Sequence, residues 1–121
     1  MNKFLILLLA TSFFISCSTH ISRPNIKGYI KDNDGISLEN VEVLTWDGKK
    51  DVIETYSDDS GYFILKQTKK NGTPDQKHLL QFLLRKENYS DTLVSKFYNG
   101  RVIKTDTTVV FKSLVMKKNS N

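Results

Sequence analysis

Short apolar segments recur along this chain roughly every ten residues, each closed by a cluster of Asp, Asn and Gly, and that rhythm leaves little room for a helix. A helix needs apolar positions three and four apart over about ten or more residues; here they alternate over much shorter stretches. Ile26, Gly28 and Ile30 alternate with Lys27, Tyr29 and Lys31, which predicts a first strand with one buried face. Asp32-Asn33-Asp34-Gly35 turns the chain, Val41 to Trp46 predicts a second strand, and Asp47-Gly48 is a hairpin signal. Val52 to Ser57 and Tyr62 to Lys66 predict a third and a fourth strand around the turn Asp58-Asp59-Ser60-Gly61. Lys69 to Lys77 is the longest breaker cluster and is expected as the main exposed loop. His78 to Leu84 has apolar residues on both faces, so a central strand is expected, with a short helix as the alternative. Glu87-Asn88 turns the chain, Thr92 to Lys96 returns it, and Asn99-Gly100 signals another hairpin. Thr107 to Met116 closes the series, and its adjacent apolar pairs predict a bulge. The whole pattern is that of an all-β sandwich or barrel.

Ahead of these strands, Lys3 precedes twelve residues, Phe4 to Ile15, whose only polar members are Thr11 and Ser12. A membrane-spanning helix needs roughly 20 apolar residues, so the run reads as a secretory leader. It ends in Ser16-Cys17-Ser18, and Cys17 is the chain's single cysteine, leaving no partner for an intramolecular disulfide. This segment resembles a bacterial lipoprotein signal, although the position three before the cysteine is Phe14 where Leu is usual. The resemblance implies a signal peptide over 1–16 and a Cys17 carrying palmitate-type acyl chains, which makes it the lipidation site. At least two chains are needed for stable anchoring, and a diacylglyceryl cysteine supplies them. Residues 17–24 are then expected as a polar tether, 25–118 as the domain and 119–121 as a disordered tail. Ser18 follows the cysteine in place of the Asp that retains some lipoproteins in the inner membrane. The expected location is therefore the cell envelope, at the periplasmic face of the outer membrane, with the membrane as a partner through the lipid anchor.

Removing the leader takes the formal net charge from +5 to +4, because Lys3 is its only charged residue. The remaining lysines come in pairs such as Lys49-Lys50, Lys69-Lys70 and Lys117-Lys118, interleaved with acids. Nucleic-acid binding wants a basic stripe with stacking aromatics, and no nucleic acid partner is expected. The charges suit solvation or contact with anionic headgroups.

The run Ile26-Lys27-Gly28-Tyr29-Ile30, then Asp34-Gly35, Leu38, Val41, Val43, and finally Thr55 through Asp59 with Gly61-Tyr62-Phe63 resembles the carboxypeptidase regulatory-like domain over residues 25 to 96. That resemblance implies a seven-stranded antiparallel Greek-key sandwich, transthyretin-like and Ig-like in its layering. Two positions depart from the family pattern: Glu39-Asn40 replaces the usual proline-rich step, and Asn88-Tyr89 replaces the later Gly-Tyr. Asn tolerates the left-handed backbone that Gly supplies. Gly61 follows three turn formers, so a positive φ is expected there, with Phe63 facing inward and Tyr62 outward.

Candidate chemistry is sparse. Asp58 and Asp59 invite calcium, but six to eight oxygens are needed and turn capping explains the acids, so no metal is expected. His20 lies in the tether and His78 opens a strand, which leaves no histidine pair at ligand spacing and no catalytic residue. Transthyretin-like hydrolases of 5-hydroxyisourate carry a Tyr-Arg-Gly-Ser signature, whereas this chain reads Lys117-Lys118-Asn119-Ser120-Asn121. No cofactor and no enzyme activity are expected. Trp46, Tyr56, Tyr29 and Tyr62 are the candidate ligand-binding aromatics, for sugar or peptide, against the alternative that they cover the sandwich surface. Asp91-Thr92-Leu93 and Asp106-Thr107-Thr108 resemble a periplasmic O-glycosylation signal, which makes Thr92 and Thr107 candidate glycosylation sites. The expected role is a non-enzymatic binding or scaffolding domain with an envelope protein or glycan as partner. The alternatives are a small carbohydrate- or peptide-binding lipoprotein and, more distantly, a hydrolase.

Overall fold

The computed structural model describes residues 19–72, 77–99 and 107–119, and its regular elements are all strands. In chain order they are β1 (Thr19–Arg23), β2 (Asn25–Asp32), β3 (Glu42–Trp46), β4 (Asp51–Tyr56), β5 (Tyr62–Leu65), β6 (Thr68–Asn71), β7 (Lys77–Arg85), β8 (Thr92–Asn99) and β9 (Thr108–Met116). A four-stranded sheet has the order β4-β3-β7-β8, a three-stranded sheet β5-β2-β9, and β1 and β6 pair as a ribbon.

The alternation read in the sequence sets the inner faces. Along β2, Ile26, Gly28, Ile30 and Asp32 are buried while Lys27 and Tyr29 are exposed. The β7 strand buries Leu80, Phe82 and Leu84 inward, and it lies inside its sheet between β3 and β8, as its apolar content requires. One core joins the two larger sheets, with Ile26, Ile30, Phe63, Leu65, Val109 and Met116 on one side and Val43, Leu80, Phe82, Leu84 and Val94 on the other. Each such side chain contributes roughly 1.5–3 kcal/mol on burial.

Phe82 packs edge-on against both Phe63 and Phe111, each at 5.6 Å between ring centroids. Gly28 pairs with Phe63 on one side and Phe111 on the other. A Cβ at Gly28 would lie 2.5 Å from Phe63 Cε1, so the missing side chain is the space the ring occupies. Gly61 has φ 78, as its turn demands, and a Cβ there would collide with the Ile30 carbonyl. Asn88 likewise adopts φ 70. Buried Ser57 accepts from the Val41 amide (2.9 Å) and donates to the Leu38 carbonyl (2.7 Å), pinning the end of β4 to the segment before β3. The bulge in β9 lies at Lys112-Ser113, where register with β2 slips between Gly28–Phe111 and Ile30–Leu114.

Several expectations are corrected. Among the described residues nine strands in three sheets stand where seven strands were expected, and the pattern is not antiparallel throughout, because β2 and β9 run parallel. Period-two alternation specifies which face is buried and leaves the neighbour and its direction open. Residues 19–23 of the expected tether are strand β1, with Ile21 buried and Thr19 opposite Asn71. The first residues of the expected main loop are its partner β6. Backbone pairing builds this ribbon around one apolar side chain, so no alternation announces it. The core of that loop, 73–76, and Gly100 of the expected hairpin lie outside the described residues.

Candidate functional site

The strand register sorts exposed residues between two ends of the sandwich. One end, the ribbon end, holds β1 and β6, the β3–β4 turn, the start of β7 and the finish of β8. Between ribbon and four-stranded sheet lies an open depression of about 560 Å³, lined by Ser22, Arg23, Thr45, Glu54, Thr68 and Leu80, with Trp46 also contributing. The Ser22 and Thr68 hydroxyls are 2.6 Å apart, and Thr45 Oγ1 donates to Glu54 Oε1 at 2.8 Å. Of the charged groups lining the depression, Arg23 is held deepest, its side chain 14% exposed. Its Nη2 donates to the Lys66 carbonyl at 2.6 Å, Nη1 stands 4.0 Å from Glu54 Oε1, and buried Nε has no partner among the described residues. Burial lowers the guanidinium's pKa from its ordinary value, and the Glu54 charge opposes the shift. The cation stays charged and orders the ribbon against β4.

Asp58, considered for calcium, caps its turn, and Asp47 caps the turn between β3 and β4. Asp58 Oδ1 accepts from Ser60 Oγ (2.8 Å) and from the amides of Tyr62 (2.9 Å) and Ser60 (3.0 Å). Asp47 Oδ1 accepts from the amides of Lys49 and Lys50 at 2.8 and 2.9 Å. These bonds favour the charged forms and hold both carboxyls below the ordinary range, the Ser60 hydroxyl leading for Asp58 and the Lys50 amide for Asp47. Among the described residues no three His, Cys, Asp or Glu side chains gather into a metal site.

The four candidate aromatics do not form one strip. Tyr29 and Tyr62 pair across β2 and β5 with ring centroids 5.1 Å apart, on the outer face of the three-stranded sheet. Trp46 and Tyr56 stand on the outer face of the other sheet, opposite Asp51 and Glu42 respectively. Trp46 and Tyr56 stand on adjacent strands, as expected, but Tyr29 and Tyr62 lie in the other layer, and the turn at 58–61 carries the chain between the two sheets. Beside Trp46 the same outer face carries an apolar row. Ile53, Leu44, Leu83 and Leu93 are in register across β4, β3, β7 and β8. Leu44 is only 3% exposed on this outer face, since neighbours flank it on both sides. Nearer the ribbon end, Leu79 pairs with Phe97, and these two and Trp46 are 50%, 72% and 65% exposed.

His20 sits on β1 with Nδ1 3.0 Å from the Gly72 carbonyl. Thr92 is half-buried at the start of β8, its hydroxyl 3.3 Å from the Ser90 carbonyl, and Thr107 is half-buried ahead of β9. Cys17 lies outside the described residues. Sequence reading missed Arg23, Glu54 and Phe97 as surface-defining groups. Phe97 shares one face of β8 with Leu93 and Ser95, a legible signal, whereas the role of Arg23 depends on the unannounced ribbon. Compared with known proteins, the chain matches no family model and no curated protein.

Proposed function

We propose that the chain is a lipid-anchored, non-enzymatic β-sandwich that binds or scaffolds a partner at the bacterial cell envelope, attached through acylated Cys17 to the periplasmic face of the outer membrane. The observation that carries this reading is the apolar run 4–15 ending in Ser16-Cys17-Ser18, with Cys17 two positions ahead of Thr19, where β1 begins. In this reading the sandwich is of the carboxypeptidase regulatory-like, transthyretin-like kind. Gly28 under the Phe63 ring and Gly61 at its left-handed turn support it, since both are positions of the family pattern. The engagement of Asp47, Asp58 and His20 with backbone groups favours a structural domain over a catalytic one. A sugar or peptide ligand finds support only at the ribbon-end depression, where polar Arg23, Glu54 and Thr45 stand near exposed Trp46.

Replacing Cys17 by Ser tests the anchor. In a host that processes lipoproteins, the wild-type protein should pellet with membranes and carry the mass of an acylated, cleaved chain. The Cys17→Ser protein should keep its leader and bear no acyl mass. A variant that is cleaved and pelleted like the wild type would refute the reading.

A further inference from the structure

We propose that the ribbon end of the sandwich is a docking surface for an anionic phospholipid bilayer, with Trp46, Leu79 and Phe97 entering the headgroup region and a set of lysines meeting its charge. The direction of approach rests on the Cys17 anchor. With β1 beginning at Thr19, only Ser18 separates the lipidated position from the fold. The two steps from Cys17 to Thr19 reach about 7 Å at full extension, less than the roughly 10 Å between two packed sheets, so an anchored domain holds this end against the lipid.

What this end presents fits that contact. Exposed Lys49, Lys50, Lys66, Lys69 and Lys70 lie here, with Asp47, Asp51 and Glu54 as the acids among the described residues. The far end has the opposite balance: exposed Asp34, Glu39, Asp58, Asp59, Glu87 and Asp91, against Lys31, Arg85, Lys86, Lys117 and Lys118. The sandwich is therefore polarised along its strands, positive toward the anchor. Each lysine held at an anionic surface strengthens association about fivefold, an effect confined to roughly a Debye length. Large apolar side chains standing in water beside such a basic cluster suit the interfacial zone, and tryptophan prefers that zone. Phe97, Leu79 and Trp46 occupy neighbouring outward positions at this end, and Leu79 and Trp46 reach the depression that also touches Ser22 and Arg23 of the ribbon.

Trp46 is the chain's only tryptophan, so it reports its own surroundings. Wild-type protein purified from membranes is reconstituted into phosphatidylcholine vesicles with and without phosphatidylglycerol, with brominated acyl chains as the quencher. Trp46 fluorescence should fall at least twofold in the anionic brominated vesicles and less in the neutral ones. Lys69→Gln with Lys70→Gln, and separately Phe97→Ser, should each remove most of that quenching with the thermal melt unchanged, because all three positions are exposed. Lys117→Gln with Lys118→Gln, at the far end, should leave it intact. Trp46 emission that stays water-like in anionic vesicles, or equal sensitivity to the far-end pair, overturns the docking. So does a dimer that Phe97→Ser dissolves while brominated lipid leaves Trp46 unquenched, since a second copy would then be the occupant. Intact mass reads acylation of Cys17 separately. If the cysteine is bare, flotation of the same protein with anionic vesicles tests the same surface, and failure to float overturns it.

Discussion

Single positions in this chain matter where a backbone group leaves no space or has no second partner. Gly61 combines a left-handed φ of 78 with the Ile30 carbonyl lying where a Cβ would go. Gly61→Ala should destabilise the fold by about 2–4 kcal/mol, the sum of backbone strain and displacement of β2. Gly61→Asn should recover little, because it relieves φ and keeps the clash; urea denaturation of the three proteins measures the order. The carboxyls of Asp58 and Asp47 are held below their ordinary pKa by turn hydrogen bonds. A folded pKa below the unfolded one means the stabilisation is complete above the ordinary carboxylate value of about 3.9 and disappears as pH falls through the folded values. Melting temperatures at pH 7 and 5 should therefore agree as far as these two groups are concerned, and decline below about pH 4. Asp58→Asn should decline less steeply than wild type over that acid range. Residue-scale legibility was good at these places, since Asp-Asp-Ser-Gly states its turn chemistry openly. Ser57 was less legible: its two buried hydrogen bonds depend on the approach of Leu38 and Val41, which no local pattern encodes.

At the scale of elements, strands were readable where apolar and polar residues alternate with one face buried, as in β2, and where a short run is apolar on both faces, as in β7. The ribbon was not, because Thr19–Arg23 and Thr68–Asn71 contain one apolar residue between them, Ile21. The closing strand shows the difference between reading a feature and placing it. Adjacent apolar pairs signalled a bulge in β9, and the structure puts it at the polar pair Lys112-Ser113, which lets Phe111, Leu114 and Met116 all turn toward the core. Deleting Ser113 should restore plain alternation with Leu114 and Met116 still inward, and lower stability only modestly, by about 1–2 kcal/mol. Deleting Val110, from the regular part, should turn either Val109 or the residues after it to the wrong face and abolish the cooperative melt. Circular dichroism of the two deletions separates these outcomes.

For the whole molecule, the sequence made the all-β character plain and left the assembly hidden. Alternation tells a strand which side to bury, and pairing partners come from the three-dimensional competition among strands, so the parallel match of β2 with β9 and the separation of Tyr29 from Trp46 onto opposite faces had no local signature. The candidate site shared that fate, since a patch made of β1, β3, β7 and β8 exists only once the sheets have formed. Removing residues 107–121 should expose Ile26 and Phe82 and leave a chain without a sharp thermal transition, as measured by calorimetry. The parallel pairing also orders events in time. The second strand finds one of its two neighbours only when the ninth has emerged, and contacts that span most of a chain close slowly. During synthesis the molecule thus lacks a partner it needs to complete its core until its last strand arrives, and under the export proposed above that delay would keep the chain pliable enough to be drawn through a narrow translocation channel before it becomes rigid.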